Sequence, residues 1–274
     1  MPFTRRAALK GVLATAVGAV TGAAAYGIGF ERHHLGVTSA ELPVSGLAPA
    51  LDGLRIAFLT DIHHSIMVPA DDVMHAVTVA NAAAADLIVL GGDYVTWGDR
   101  DYVAPVAELL QPLHAPNGVF AILGNHDNDR DMPAALARNG FTVLKDQRTR
   151  IMIRNEPLEL AGIRFWTRKA ADIARVLRRS SGTVLLLAHD PRRLTEAAAL
   201  DIPAVLSGHT HGGQVVLPGV GALARRDFPL LAGLGRRDST SIFVSRGIGT
   251  VYVPIRINCP PEVAIVTLRR QSAI

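Results

Sequence analysis

Apolar runs and polar stops alternate along this chain in a regular way. Apolar stretches stand at 54–59, interrupted by Arg55, and without a break at 87–90, 119–123, 184–187 and 204–206. Each has the length of a strand covered on both faces. Between and after them, 70–85, 102–113, 132–139, 170–179 and 194–200 carry apolar residues at helical spacing, and Gly140 stands as a stop behind one of them. From 143 to 166 the runs are brief and broken by turn residues at 155–157 and 162, which predicts antiparallel strands. Further strand-like runs lie at 214–216, 242–244 and 263–266. The alternation predicts an α/β domain over 54–270. Each of the five buried runs ends in a small group of Asp, Asn or His. Ligand sites in α/β sheets lie beyond the carboxyl ends of the strands, so the five groups are expected to converge.

The first thirty residues do not follow this pattern. Thr4-Arg5-Arg6-Ala7-Ala8-Leu9-Lys10 is followed by an uncharged stretch over 11–30 that holds five glycines and six alanines. A basic start, a weakly apolar middle and small residues at Ala23-Ala24-Ala25 describe an export signal of the twin-arginine type. Twenty apolar residues are also enough for a membrane anchor. Residues 1–30 are therefore expected to be a signal or anchor, and 31–53, with Pro43, Pro49 and several glycines, a linker. The expected location is outside the cytoplasmic membrane, released or tethered to its outer side, with the twin-arginine machinery as export partner.

Composition narrows the function classes. Of 274 residues 49% are apolar and 19% charged, which suits a large core and excludes disorder. The lone Cys259 excludes an internal disulfide framework and a zinc ribbon. Aromatic residues at 5% argue against stacking platforms for single strands, and a net charge of +4 is too small to imply specific nucleic-acid binding.

The candidate chemistry lies in the strand-end groups: Asp61-x-His63, Gly92-Asp93, Gly124-Asn125-His126, His189 and Gly208-His209-x-His211. Carboxylate, amide and imidazole donors without thiolate suit divalent ions such as Mn²⁺, Fe²⁺ or Zn²⁺. The set exceeds what one tetrahedral ion needs, and two ions sharing a carboxylate would use it. In an extended segment the x-spaced pairs Asp61/His63 and His209/His211 would project to one side. The adjacent glycines would let the backbone turn sharply.

These blocks, in this order over 54–211, resemble the calcineurin-like metallophosphoesterase superfamily. The segments 212–214, 245–250 and 258–262 are similar to an exported or membrane-associated bacterial branch. The resemblance implies two β-sheets packed together and flanked by helices, with the metal site at strand C-terminal ends. It implies that Asp61, His63 and His211 hold one ion, Asn125, His189 and His209 a second, and that Asp93 bridges them. It also implies in-line attack of a metal-bridging hydroxide on a phosphodiester or phosphomonoester, diesters being favoured. His126 would assist the leaving group or stabilise phosphoryl charge without binding metal. Two divalent ions are expected, Mn²⁺ favoured, and a phosphate-ester substrate, an envelope or lipid source being one option beside nucleotide and cell-wall diesters and phosphomonoesters. The rival readings are a non-catalytic metal-binding scaffold and a single-metal hydrolase of another electrophile.

Protein phosphatases of the superfamily carry an acidic residue three positions after the bridging aspartate; here that position is Thr96. His64 is expected in an exposed loop, and His33, His34, His75 and His114 are expected to be solvated or satisfied. Cys259 is expected to pack structurally. Arg246 and Arg256 are expected in surface ion pairs or, alternatively, against a substrate anion.

Overall fold

Two six-stranded sheets lie face to face between helices. A computed structural model of the chain describes residues 4–223 and 227–271. In chain order the elements are α1 (Arg5–Gly29), β1 (Gly36–Val44), β2 (Arg55–Leu59), α2 (Ala70–Ala82), β3 (Leu87–Leu90), α3 (Val103–Leu110), β4 (Val119–Ala121), α4 (Asp131–Arg138) and β5 (Thr142–Val143). They continue with β6 (Gln147–Ile153), β7 (Glu156–Ile163), α5 (Ala170–Val176), β8 (Thr183–Ala188), α6 (Leu194–Ala199), β9 (Ala204–Ser207), β10 (Val216–Leu217), β11 (Gly221–Ala222), β12 (Gly233–Arg237), β13 (Thr240–Val244) and β14 (Glu262–Arg270). One large sheet has the order β1-β14-β2-β3-β4-β5 and the other β12-β13-β9-β8-β7-β6; β10 and β11 form a small hairpin.

The two-residue period of a strand explains the layering. In β2, Ile56 and Phe58 face the second sheet, while Ala57 and Leu59 face the helices. In β8, Leu185 and Leu187 face inward and Leu186 and Ala188 outward. The first sheet's outer face packs on α2, α3 and α4. The second sheet's outer face packs on α5 and α6. Both faces of each central strand are thus dry, which is why their sequences read as apolar runs. The antiparallel pair expected within 143–166 is β6–β7.

The stretch 31–53 is not a linker. It holds β1, which pairs parallel to β14 from Gly36↔Glu262 to Val44↔Arg270. Pro43 disguised it, but β1 is an edge strand, where a missing N–H leaves no ladder bond unmade. Expected strand 214–216 is also revised: Gln214 has φ +57°, and only Val216–Leu217 forms a strand.

β2, β3 and β4 are mutually parallel in the first sheet, as are β8 and β9 in the second. Their carboxyl ends lead into one common edge of the sandwich, and the donor groups meet there.

Candidate metal centre

The loops after β2 and β3 stay in contact after the strands end. Asp61 N donates to Gly92 O (2.9 Å), His63 N to Asp93 O (3.0 Å) and His64 N to Tyr94 O (2.9 Å). Asp61, His63 and Asp93 take positive φ of 52°, 50° and 56°, so the loops curl instead of running straight. The extended geometry expected for Asp61-x-His63 is therefore not what forms. The same holds for His209 (φ 71°) and His211 (φ 51°). The curl sends the two imidazoles to different donor groups. Asp61, His63 and His211 form one triad and Asp93, His189 and His209 another, the donor atoms of each lying within 4.8 Å of one another.

The loop after β4 closes against Asp93. Gly124 has no room for a side chain, since a Cβ there would stand 2.1 Å from Asp93 Oδ1. Asp127, to which the sequence reading assigned no role, braces this junction. Its carboxylate accepts from Asp93 N (2.7 Å), Gly124 N (2.8 Å) and Tyr94 N (2.8 Å). The signal available was an aspartate at a strand-end turn, a residue suited to binding nearby backbone N–H groups.

The donor set suits cations, as its own atoms show. His189 Nδ1 donates to Gly91 O (2.7 Å), so a neutral ring turns a bare Nε2 toward Asp93 Oδ2 at 3.0 Å. Two lone pairs facing each other call for a positive charge between them. Burial opposes charge on His189, yet the Asp93 and Asp61 carboxylates outweigh it and push the imidazole up to about 10. His63 Nε2 and His211 Nε2 face each other at 3.1 Å, and burial drives His63 down to about 3 and His211 well below its ordinary value. Both rings are therefore neutral, the form that ligates metal. Burial raises Asp61 to about 6. Burial works against the Asp93 carboxylate too, but His189 and His63 hold it below the usual range. Asp93 Oδ2, within the second triad, stands 3.0 Å from His189 Nε2 and 3.6 Å from His63 Nε2, so it faces the first triad as well. Asn125 Oδ1 is buried with no hydrogen-bond partner among the described residues.

The outer contacts orient the donors. His63 Nδ1 lies 3.2 Å from Thr96 Oγ1, so the residue that replaces the phosphatase acid supports a ligand-type imidazole. His209 N donates to both Asp61 carboxylate oxygens at 3.0 Å. His126 is buried; its N–H donates to Asp93 Oδ1 (2.8 Å), and its Nδ1 accepts from Trp97 N (3.0 Å). Nδ1 is thereby an acceptor, and the neutral ring carries its proton on Nε2. Burial lowers the His126 pKa, against a smaller opposing effect of Asp93, which keeps the ring neutral.

Two other expectations change. His64 is buried, not exposed, with Nδ1 2.9 Å from Val68 O and its ring edge-on to Tyr102. Arg256 is fully buried, away from both surface and substrate, and donates to the carbonyls of Arg246, Gly247, Gly249 and Cys259. It ties the segment 246–249 under the first triad, where Gly249 N holds Asp61 O at 2.7 Å. His33 meets Asp72 at 2.8 Å, while His34, His75 and His114 are exposed. Arg246 pairs with Glu262. Cys259 is buried, and its Sγ lies 3.2 Å from His211 O.

A cavity of about 380 Å³ opens beside Asp93, Asn125, His126, His209 and His211. The model of the calcineurin-like phosphoesterase family matches residues 54–213, the span that contains the whole donor set. The chain is 30% identical to the uncharacterized metallophosphoesterase YkuE of Bacillus subtilis, covering 97% of this chain and 98% of that one. It is 34% identical to the phosphodiesterase YaeI of Escherichia coli, covering 78% of this chain and 82% of that one. Among solved structures, that of TT1561 from Thermus thermophilus shares the fold, with a TM-score of 0.51 at 12% identity over 71% of this chain and 89% of that one.

Proposed function

The chain belongs to the calcineurin-like phosphoesterase family, and we propose that it hydrolyses phosphate esters with two divalent ions, diesters in preference to monoesters. The observation that carries this reading is the pair of donor triads at the edge of the cavity, one of which contributes the Asp93 carboxylate that also faces His63 of the other. Asp61, His63 and His211 would hold one ion, Asn125, His189 and His209 the other, with Asp93 shared. Mn²⁺, Fe²⁺ and Zn²⁺ all suit these donors, and Mn²⁺ is favoured. Bound there, the ions supply Lewis acidity and a water nucleophile usable at neutral pH. The preference for diesters draws on the similarity to YaeI, a phosphodiesterase.

His126 has a defined part. The Trp97 N–H occupies Nδ1, so the remaining Nε2–H donates to a phosphoryl oxygen or to the departing oxygen as charge grows there. A neutral imidazole offers a hydrogen bond and not a free acid proton, which favours charge stabilisation over full proton transfer. Asp127 holds the backbone of Asp93, and the Asp93 carboxylate in turn fixes the backbone N–H of His126.

The same proposal places the domain outside the cytoplasmic membrane, exported by the twin-arginine route. Supporting it, α1 is apolar on every side and almost wholly exposed, with Arg5, Arg6 and Lys10 at its start. Basic residues stay on the cytoplasmic side, which directs the domain to the other.

The test is hydrolysis of bis(4-nitrophenyl) phosphate and 4-nitrophenyl phosphate by chelated and Mn²⁺-reloaded protein. Activity is expected only after reloading. His126→Ala is expected to lose about 10²–10³-fold in kcat while keeping two ions per chain. Full activity in metal-free protein, or unchanged turnover in His126→Ala, refutes the mechanism.

A further inference from the structure

The cavity has two unlike walls. One carries the metal donors; the other is Val215, Leu223, Phe228, Val251, Tyr252 and Val253. Among the described lining residues, the polar side chains beyond the donor set and His126 are Thr210, Gln214 and Tyr252, and the first two are engaged. Thr210 Oγ1 donates to Leu231 O, and the Gln214 amide binds Val251 and Val253 backbone. Among the described residues of this wall, the Tyr252 hydroxyl at the exposed rim is left as the free polar group, and the rest offers hydrocarbon. The rim is apolar as well: Trp97, Leu223, Tyr252 and Val253 are 66%, 59%, 57% and 50% exposed, and Trp97 packs edge-on to Tyr252.

This rim adjoins the one helix among the described residues that is long and apolar enough to cross a bilayer. α1 ends on the segment that follows Val253. Arg256 N donates to Gly27 O (3.2 Å), and a Cβ on Gly27 would meet Ile255 and Ile257 side chains at 2.8 and 2.9 Å. Just beyond the helix, the buried Glu31 accepts from Cys259 N (2.6 Å), and Arg32 donates to Met67 O (2.8 Å). The helix end is thus fastened to the catalytic domain. Val253 precedes Arg256 by three residues, so the rim lies within about 10 Å of that contact. α1 has 25 residues, roughly 37 Å of helix, against a hydrocarbon core of about 30 Å. Its last turn would then sit at headgroup level, and Trp97 and Tyr252 would occupy the interfacial zone that such rings favour.

Resting on the phosphoesterase reading above, we infer that the substrate is the phosphate ester of a membrane lipid. Its phosphate would lie at the metal donors and its hydrocarbon against the Val215–Val253 wall. The reaction is hydrolysis: a water oxygen bonds to phosphorus, the P–O ester bond breaks, and the departing oxygen ends protonated as an alcohol. The apolar wall does no chemistry; it selects what enters.

The experiment uses the full chain in nanodiscs of digalactosyldiacylglycerol, a bilayer lipid without phosphate, loaded with Mn²⁺ and hydrolysing bis(4-nitrophenyl) phosphate. Ethyl, butyl and hexyl phosphate are added as inhibitors, and the slope of inhibition against chain length is read. Inhibition is expected to strengthen by about fourfold for each methylene that becomes fully buried. Leu223→Ser and Val253→Ser, both at half-exposed positions that folding tolerates, should flatten that slope. A second arm compares phosphatidic acid placed in the disc with glycerol 3-phosphate in solution; only the former should compete. No dependence on chain length, or equal competition by glycerol 3-phosphate, overturns the lipid assignment while hydrolysis of the nitrophenyl diester keeps the phosphoesterase reading. Absence of any hydrolysis with any of the three metals overturns that underlying reading instead.

Discussion

Adding a single methyl group at Gly124 should disable the centre without replacing any donor. A Cβ there would stand 2.1 Å from Asp93 Oδ1, 2.6 Å from its Cγ and 2.7 Å from its N, where ordinary contact begins near 3.4 Å. Gly124 is not among the residues of positive φ, so alanine brings contact strain and no backbone strain. Asp93 cannot swing aside cheaply. Its N is held by Asp127, its Oδ1 by His126 N, and its Oδ2 faces His189 at 3.0 Å. Overpacking of this kind costs about 1–3 kcal/mol. For a domain of this size that lowers Tm by roughly 2–12 °C. Displacing the shared carboxylate by about 1 Å should cost on the order of 10²-fold in kcat/KM. Elemental analysis, thermal melting and nitrophenyl diester hydrolysis are measured on Gly124→Ala beside Ile173→Val. Ile173 is buried on the outer face of the second sheet, and its truncation costs about 0.5–1.5 kcal/mol with no path to the metals. Ile173→Val should keep metal and activity, and Gly124→Ala should lose both. Wild-type metal content and kcat/KM in Gly124→Ala would refute the reasoning that this loop contact sets Asp93.

Asp93→Asn should weaken both ions together, since its carboxylate belongs to one triad and faces His63 of the other; retention of two tightly bound ions at normal rates would remove the shared-ligand assignment. Thr96→Val deletes the partner of His63 Nδ1 and should weaken metal affinity about 10–100-fold at the first triad, measured by chelator competition, with Thr96→Ser restoring it. Arg5→Lys with Arg6→Lys should leave an active enzyme in the cytoplasm and block export, followed by fractionation; normal export of the double variant would point to the general secretory route.

The strands, their burial on both faces and the convergence of Asp61, Asp93, Asn125, His189 and His209 were legible in the sequence. An apolar run reports how a segment relates to water, and a donor next to such a run inherits the position of the strand end. Edge strand β1 was not legible, because its exposed alternation and Pro43 carry a weak signal and only the β14 ladder places it. The division of His209 and His211 between two triads came from the family resemblance alone, since spacing placed both on one side. That division depends on left-handed turns, which spacing cannot reveal, and on contacts such as His209 N with Asp61, 148 residues apart. Arg256 looked like surface chemistry because its carbonyl partners are assembled only when the segments around 247 and 259 close on it. The tautomer of His126, the junction of Asp127 with Asp93, and the apolar wall leading from the metals to α1 belong to the same class. Each is a relation between loops, created when two sheets close and invisible to any pattern read along one of them.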